Sequence, residues 1–236
     1  MGKNKLAKFK ENNHLPHLLQ PEFDEVYKAN FRLKGSWNKD YFNNNHSLIL
    51  ELGCGRGEYS INLAAAHPEN NYIGIDIKGA RLNLGAKLAQ KQNLNNVTFI
   101  RTHIDFTESF FSINEVDQIW ITFPDPFPRN RSIKKRLTSA RFLNLYRKFV
   151  KPKGTIHLKT DNEDFFNYTL TLLEYNQIIP RIVYTDVHKQ AKETELTTIQ
   201  TYYESLFLKE GKPIKYLCFE NNESKEYIEI PVSKEE

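Results

Sequence analysis

Residues 47–58 read Ser-Leu-Ile-Leu-Glu-Leu-Gly-Cys-Gly-Arg-Gly-Glu, an apolar run followed by three glycines at alternate positions. The run from Ser47 to Leu52 is short and almost entirely apolar, which predicts a buried strand. Gly53, Gly55 and Gly57 let the backbone turn tightly and approach a ligand that a Cβ would repel. This stretch therefore predicts a strand that ends in a ligand-binding turn.

Strands and helices alternate on both sides of this stretch. Apolar runs predict further strands at 71–76, 97–100, 116–123, 155–159, 181–185 and 214–219. Helical periodicity predicts helices at 58–66, 79–92, 137–150, 165–175 and near 197–209. Such alternation indicates an α/β protein with a doubly wound, mostly parallel sheet. Ligands bind beyond the carboxyl ends of the strands in such sheets, so functional residues are expected there.

Length and composition limit the class of protein. The chain has 236 residues, of which 39% are hydrophobic and 13% aromatic, so collagen-like and fully disordered chains are excluded. We expect one domain at 21–236 after a flexible basic arm at 1–20. No apolar run is long enough to span a membrane, and no secretory signal is visible. Cys54 and Cys218 provide no disulfide framework, so we expect a cytoplasmic protein.

Charge is distributed unevenly along the chain, although the net charge is only +4. Between Asp125 and Asp161 there is no acidic residue but 11 basic ones: Arg129, Arg131, Lys134, Lys135, Arg136, Arg141, Arg147, Lys148, Lys151, Lys153 and Lys159. The first ten residues add four lysines. This pattern is typical of a protein that binds a polyanion, and its alternative is a solvated basic helix.

The glycine turn favours a cofactor without phosphates. A dinucleotide-binding turn needs a third glycine at position 58, where this chain has Glu58, a poor neighbour for a pyrophosphate. Asp76 ends the second strand, where a carboxylate can accept hydrogen bonds from both ribose hydroxyls. Glu51 suits a ligand with a sulfonium and an amino group. Together these residues indicate S-adenosylmethionine.

A proline-rich loop, Phe123-Pro-Asp-Pro-Phe-Pro-Arg129, follows the fourth strand. Its three prolines stiffen the backbone, which would hold Asp125 and Phe127 over the cofactor, although a rigid connector explains them as well. Because the basic stretch begins in this loop, we favour a nucleic-acid substrate. Asp161 follows the fifth strand and is expected either to cap the next helix or to contact the substrate.

With these motifs, the chain resembles the bacterial tRNA (guanine-N7)-methyltransferase family over roughly residues 30–220. The resemblance rests on residues 51–57, Ile75-Asp76, 123–126, 159–161 and Thr201-Tyr-Tyr-Glu204. It implies a seven-stranded Rossmann-like methyltransferase sheet with an antiparallel last strand, and a substrate guanosine at position 46 in the variable loop of tRNA. The residues it implies for the cofactor are Glu51, Gly53, Gly55, Asp76 and Asp125, and those for the substrate are Asp161, Thr201, Tyr203 and Glu204.

Three positions depart from the family's usual motifs. Phe127 replaces a tryptophan and loses the indole N–H, and Arg129 replaces a lysine, which changes a point charge into a planar fork. We expect Arg129 to bind the substrate. The family's usual Asp-Ala pair is replaced by His103-Ile-Asp105, and we rank His103 slightly ahead of Asp105 as the cofactor contact.

The chemistry implied by the resemblance needs few reactive groups. Guanine N7 carries a lone pair and no proton, so no general base is required. We expect Asp125 to be the catalytic carboxylate and Asp161 and Glu204 to hold the base, with a basic helix from Arg131 to Lys153 and the N-terminal lysines on the RNA backbone. No metal is expected. A methyltransferase of another RNA, a protein or a small molecule, an RNA-binding module and a nicotinamide enzyme are the alternatives, and the oligomeric state is left open.

Overall fold

The computed structural model describes residues 11–222 and 224–231. Within these ranges a single sheet contains eight strands. They are β1 (Leu18–Leu19), β2 (Ser47–Leu52), β3 (Asn70–Asp76), β4 (Val97–Arg101), β5 (Val116–Thr122), β6 (Val150–Thr160), β7 (Ile182–Tyr184) and β8 (Lys215–Glu220). All seven strands predicted from the sequence are present, and the additional strand is the two-residue β1.

The strand order is β1-β4-β3-β2-β5-β6-β8-β7. All neighbours from β1 to β6 pair in parallel, whereas β8 is antiparallel to both β6 and β7. The doubly wound sheet and its antiparallel last strand are therefore confirmed. After β1 at the edge, the chain enters the middle of the sheet at β2, runs outward through β3 to β4 and then crosses back to β5, so the order reverses between β2 and β5. This is the point at which such sheets bind ligands.

Nine α-helices lie entirely within the described residues, and residues 11–12 are helical as well. The nine are α1 (Phe23–Val26), α2 (Glu58–Ala66), α3 (Gly79–Lys91), α4 (Thr107–Phe110), α5 (Ala140–Tyr146), α6 (Glu163–Tyr175), α7 (Val187–Gln190), α8 (Glu195–Thr198) and α9 (Tyr202–Lys209). A π-helical turn spans Trp37–Phe42, and 3₁₀ turns span Ile104–Phe106 and Asn130–Lys135.

Two predicted helices are shorter than expected. The helix predicted at 137–150 is reduced to α5, because Ser139 has an extended backbone and β6 already begins at Val150. The helix predicted at 197–209 is divided into α8 and α9. Thr201 is extended and its side chain accepts a hydrogen bond from the backbone N–H of Glu204, so a new helix begins there.

Part of the predicted N-terminal arm belongs to the fold. Residues 1–10 lie outside the described residues. Leu18 is buried and pairs with Phe99 of β4, and Asn12 Nδ2 donates to the backbone oxygen of Gly79 at 3.1 Å. Asn12 and Leu18 are thus buried against the rest of the fold, whereas Glu11, Asn13, His14 and Pro16 are exposed.

Apolar side chains fill both faces of the sheet. Because both faces are covered, the central strands are buried along almost their whole length. One cluster includes Trp37, whose Nε1 donates to the backbone oxygen of Phe110 at 2.9 Å, and the other includes Phe99 and Trp120. This core positions the carboxyl ends of β2, β3, β5 and β6 along one edge.

Candidate active site

The glycine turn after β2 has the backbone that its sequence predicts. Gly53, Gly55 and Gly57 have φ of +74°, +58° and +70°, a region that favours glycine. A Cβ on Gly57 would lie 2.2 Å from Phe99, so that glycine is required by packing. A Cβ on Gly55 would meet nothing within 4 Å, so this glycine faces open space. The turn therefore leaves a cradle that a ligand can occupy.

Asp76 is fixed at the end of β3 beside this turn. Its Oδ2 accepts from the backbone N–H of Gly55 at 2.9 Å, and its Oδ1 accepts from that of Lys78 at 2.7 Å. These bonds orient the carboxylate and leave lone pairs for further donors. Asp76 lines the cavity described below, as its predicted role in binding ribose hydroxyls requires.

Glu51 is a buried carboxyl group at the base of the turn. Its Oε2 accepts from the backbone N–H of Ser60 at 2.9 Å and from the Ser60 hydroxyl, and its Oε1 accepts from Thr122 Oγ1 at 2.7 Å. Burial nevertheless raises the pKa of Glu51 to about 7, and the Ser60 and Thr122 hydrogen bonds oppose this shift. A bound cation would restore the charged form.

A single cavity of about 720 Å³ joins these groups to the proline-rich loop. Nine predicted site residues line it: Glu51, Gly53, Gly55, Asp76, His103, Asp125, Asp161, Thr201 and Tyr203. Its volume lies in the range of small-molecule sites. The open cradle at Gly55 and the carboxylates of Glu51 and Asp76 fit a neutral ribose and a cationic sulfonium, so the residues present suit S-adenosylmethionine.

His103 and Asp105 both line the cavity but differ in their contacts. Asp105 pairs with Arg141, whereas the exposed His103 ring packs edge-on against Phe106 with the centroids 6.0 Å apart. The charge of Asp105 is thus already partly neutralised by a protein cation. This difference favours His103 as the cofactor contact, which stays a prediction.

Arg136, which the sequence analysis did not distinguish from its basic neighbours, holds the proline-rich loop in place. Nε of Arg136 donates to the backbone oxygens of Pro126 and Phe127 at 3.0 and 3.3 Å. The Arg136 guanidinium also lies 4.4 Å from the ring centroid of Tyr168. Arg136 is buried, so it stabilises the loop and is not available to bind RNA. In the sequence it is hidden among ten other basic residues.

The sequence left open whether Asp161 caps the next helix or contacts the substrate, and the structure gives the cap to Asn162. The side chain of Asn162 caps α6 by accepting from the backbone N–H of Phe165 at 2.8 Å. Asp161 is therefore not the cap, and it lines the cavity instead. Partial burial raises the pKa of Asp161, and Lys212, 3.9 Å away, opposes the shift.

Two residues predicted to bind the substrate do not line the cavity. Glu204 is fully buried, and its Oε2 pairs with Nζ of Lys159 at 2.8 Å, where Lys159 is also fully buried. Its Oε1 lies 3.1 Å from Nε2 of His188. Glu204 thus stabilises the base of α9 and is not placed to hold a guanine. Arg129 is exposed at the start of the 3₁₀ turn Asn130–Lys135, outside the cavity.

The basic stretch does not form one surface, contrary to the sequence prediction of a single helix from Arg131 to Lys153. The exposed cations near the cavity are Arg129, Arg131, Lys134 and Lys135. Lys148 and Lys151 lie toward the opposite end of the sheet, where they pair with Glu108 and Asp117. The segment Thr155–Thr160 of β6 alone separates the two ends by roughly 17 Å.

Comparison with known proteins identifies the family. A family model described as a putative methyltransferase matches residues 45–217. A tRNA (guanine-N(7)-)-methyltransferase of Christiangramia forsetii is 47% identical over 92% of this chain and 98% of its own length. One of Cytophaga hutchinsonii is 46% identical over 93% and 98%, respectively. The chain belongs to the tRNA (guanine-N7)-methyltransferase family.

Solved structures with the same fold are more distant in sequence. A 16S rRNA methyltransferase, KamB, has a TM-score of 0.58 at 12% identity and covers 80% of this chain and 92% of its own. A 30S ribosomal A1408 methyltransferase from an uncultured bacterium has a TM-score of 0.54 at 16% identity, covering 77% and 90%. These similarities establish the methyltransferase fold. Among the described residues, no helix is long and apolar enough to cross a membrane, and no cluster of three or more metal-ligating side chains occurs.

Proposed function

We propose that this protein transfers the methyl group of S-adenosylmethionine to N7 of a guanosine in tRNA, at position 46 of the variable loop. The observation that supports this best is that one cavity is lined by Glu51 and Asp76, the expected cofactor carboxylates, and by Asp125 of the proline-rich loop. The names of the relatives support the choice of tRNA and of N7. A tRNA substrate also implies a cytoplasmic protein.

The cofactor half of the cavity would hold S-adenosylmethionine, which supplies an electrophilic methyl group. The Asp76 carboxylate is oriented to accept hydrogen bonds from the ribose hydroxyls, and the cradle at Gly55 admits the ligand close to the backbone. Glu51 provides a negative charge beneath it, which a cationic ligand favours. His103 borders the adenosyl side in this assignment.

Asp125 is proposed to be the catalytic carboxylate. Methylation at N7 turns guanine into a cation, so a carboxylate near the purine stabilises the developing charge. Asp125 is exposed at the cavity mouth on a loop stiffened by three prolines and held by Arg136. Since N7 has no proton to lose, this side chain acts by charge and position, not as a base.

The guanine would be held by groups that surround Asp125. Asp161 lines the cavity after β6, where its oxygens can accept from N1–H and the exocyclic amine and so discriminate guanine from adenine. Thr201 and Tyr203 line the same cavity. Glu204 supports this segment from within the core, so its contribution to substrate binding is indirect.

The RNA backbone would contact Arg129 and the cations of the 3₁₀ turn that follows. Arg131, Lys134 and Lys135 are exposed there, and Lys135 also lines the cavity. Among the described residues, none of these four has a carboxylate within 4.0 Å. Phosphates above the proline-rich loop would therefore meet cations that no protein carboxylate neutralises.

Incubation with unmodified tRNA transcripts and methyl-labelled S-adenosylmethionine tests the proposal. We expect label at N7 of one guanosine in the variable loop, located by nuclease digestion and mass spectrometry. A transcript in which that guanosine is replaced by adenosine is the control and should remain unlabelled. Label on another atom, on another RNA or on protein would refute the proposed substrate.

A further inference from the structure

The wall of the cavity next to the glycine turn carries two exposed tyrosines, and an arginine lies by each of them. Tyr202 and Tyr203 are 48% and 43% exposed, and their rings are 5.7 Å apart at 72°. The guanidinium carbon of Arg56 lies 4.9 Å from the ring centroid of Tyr202, and that of Arg81 lies 5.9 Å from that of Tyr203. Both distances are within the range of cation–π contacts.

The backbone beneath these tyrosines is fixed from both sides. The backbone N–H of Tyr202 donates to Oε2 of Glu58 at 2.9 Å. The Thr201 side chain accepts from the backbone N–H of Glu204, whose own carboxylate pairs with Lys159 in the core. The aromatic rings therefore sit on a helix start that is already ordered, so little conformational entropy is lost when they bind a partner.

The electrostatic surroundings suit an anionic partner. Arg56, Lys78 and Arg81 all line the cavity, and none of them has a carboxylate within 4.0 Å among the residues described. The nearby carboxylates of Glu58 and Asp76 already accept backbone N–H groups. Cations interleaved with exposed aromatic rings are the pattern that binds unpaired nucleotides.

We propose that Tyr202 and Tyr203, with Arg56 and Arg81, form a stacking platform for an unpaired tRNA nucleobase next to the target guanosine. This inference rests on the proposed function. A guanine that enters the cavity must leave its stack, so a neighbouring base loses a partner. The platform restores that contact, and its arginines meet the adjoining phosphates. RNA would then meet both this platform and the separate cations of the segment Arg129 to Lys135.

Tyr202→Ala tests the platform, with Tyr202→Phe and Tyr175→Ala as controls. Tyr175 is 49% exposed at the end of α6, so it matches Tyr202 in exposure but lies outside the cavity lining. We expect the Kd and KM for tRNA to rise about 5- to 150-fold in Tyr202→Ala, the range for loss of one stacked base. The Kd for S-adenosylmethionine should be unchanged, which also shows that the variant is folded. The Kd for tRNA should stay within about twofold of wild type in both controls. Tyr202→Phe keeps an aromatic ring for stacking, and Tyr175→Ala lies away from the platform.

Arg56→Gln provides a second measurement. Loss of one phosphate contact should lower the slope of log Kd against log salt by about 0.7. A tRNA Kd within twofold of wild type for Tyr202→Ala would overturn the platform, and so would a rise in Kd confined to S-adenosylmethionine, since the tyrosines would then cover the cofactor. If wild-type protein fails to methylate tRNA at N7, the proposed function itself falls. Normal wild-type methylation with unaffected variants removes the platform alone.

Discussion

Nζ of Lys159 lies 2.8 Å from Oε2 of Glu204, and neither side chain is exposed to solvent. The same ammonium donates to the backbone oxygens of Leu196 and Ile199 at 2.7 and 3.3 Å. Burial lowers the pKa of Lys159, whereas the adjacent Glu204 carboxylate opposes the shift. This ion pair joins β6 to the segment that carries Thr201 and the two tyrosines.

Removing one partner of this pair should destabilise the fold. Lys159→Met leaves the Glu204 charge buried without its ammonium, so we expect a loss of about 3–5 kcal/mol in the free energy of unfolding. The double variant Lys159→Met with Glu204→Gln should recover much of that loss. Urea denaturation of both single variants and the double variant measures the coupling. Strictly additive losses would contradict a direct interaction.

Substitutions at Gly55 and Gly211 distinguish the effect of filling the cradle from the effect of backbone strain. Both glycines have positive φ, +58° and +72°, and a Cβ on either would meet nothing within 4 Å. We expect Gly55→Ala and Gly211→Ala to lose a similar ~1 kcal/mol of stability. Only Gly55→Ala should weaken binding of S-adenosylmethionine, measured by calorimetry, because its new methyl group enters the cradle. Equal affinity in the two variants would exclude the cradle as the cofactor site.

Asp125→Asn should retain the fold and lose turnover. The amide keeps the size of the side chain but carries no charge to stabilise a cationic purine. We expect kcat with tRNA to fall roughly 10²–10³-fold, and the Kd for S-adenosylmethionine to rise much less, because Asp76 and Glu51 still hold the cofactor. Asp40→Asn, at an exposed aspartate in the π-helical turn, is the control. Turnover within threefold of wild type would remove Asp125 from the catalytic role.

The two ends of the basic stretch should differ in their contribution to RNA binding. Replacing Arg131, Lys134 and Lys135 with glutamine should weaken tRNA binding and lower the salt slope by about 2–3. Replacing Lys148, Lys151 and Lys153 with glutamine removes the same charge at the other end of the sheet and should have little effect. Filter binding at several salt concentrations distinguishes them. Equal effects would indicate that net charge, rather than location, governs binding.

The titration of Glu51 predicts a pH-dependent stability. Its pKa of about 7 exceeds the ordinary value of 4.5, so the folded protein binds more protons than the unfolded chain between these values. This group therefore lowers the free energy of unfolding as pH rises from about 4.5 to 7. Glu51→Gln should be more stable than wild type by roughly 1–3 kcal/mol at pH 8, with a much smaller gain at pH 5.

Denaturation of Glu51→Gln and wild type at the two pH values checks this expectation. The same variant should bind S-adenosylmethionine more weakly, since the cationic ligand loses its negative partner. A stability gain of the same size at both pH values would show that the effect comes from packing and not from the charge.

Local patterns were sufficient for most of the fold. The strand at Ser47–Leu52 and the helix at Glu58–Ala66 agree with their predictions residue for residue, because apolar runs and glycine turns act over a few neighbours. The placement of Asp76, Asp125 and Asp161 at one cavity also followed, since parallel strands bring their carboxyl ends to one edge. Thr201, recognised from a motif, lines the same cavity, and its role in substrate binding stays a prediction.

Other residues could not be placed from local patterns. Glu204 belongs to the same motif as Thr201, yet it points into the core, where Lys159 from a distant strand neutralises it. Arg136 is one of many basic residues in the sequence, and only its contacts with Pro126 and Phe127 reveal that it supports the loop. Each case depends on a partner far away in sequence, which composition and periodicity do not report.

The sequence by itself determined the α/β class, the glycine turn and the carboxylates at the strand ends, because these depend on local backbone preferences and on the period of apolar residues. The tertiary structure alone decided which charges remain available. It buried Lys159 and Arg136, separated Lys151 from Lys135 by the length of β6, and set Arg56 against Tyr202. A charge acts on a substrate only where folding leaves it solvated and unpaired, and that depends on contacts between distant parts of the chain.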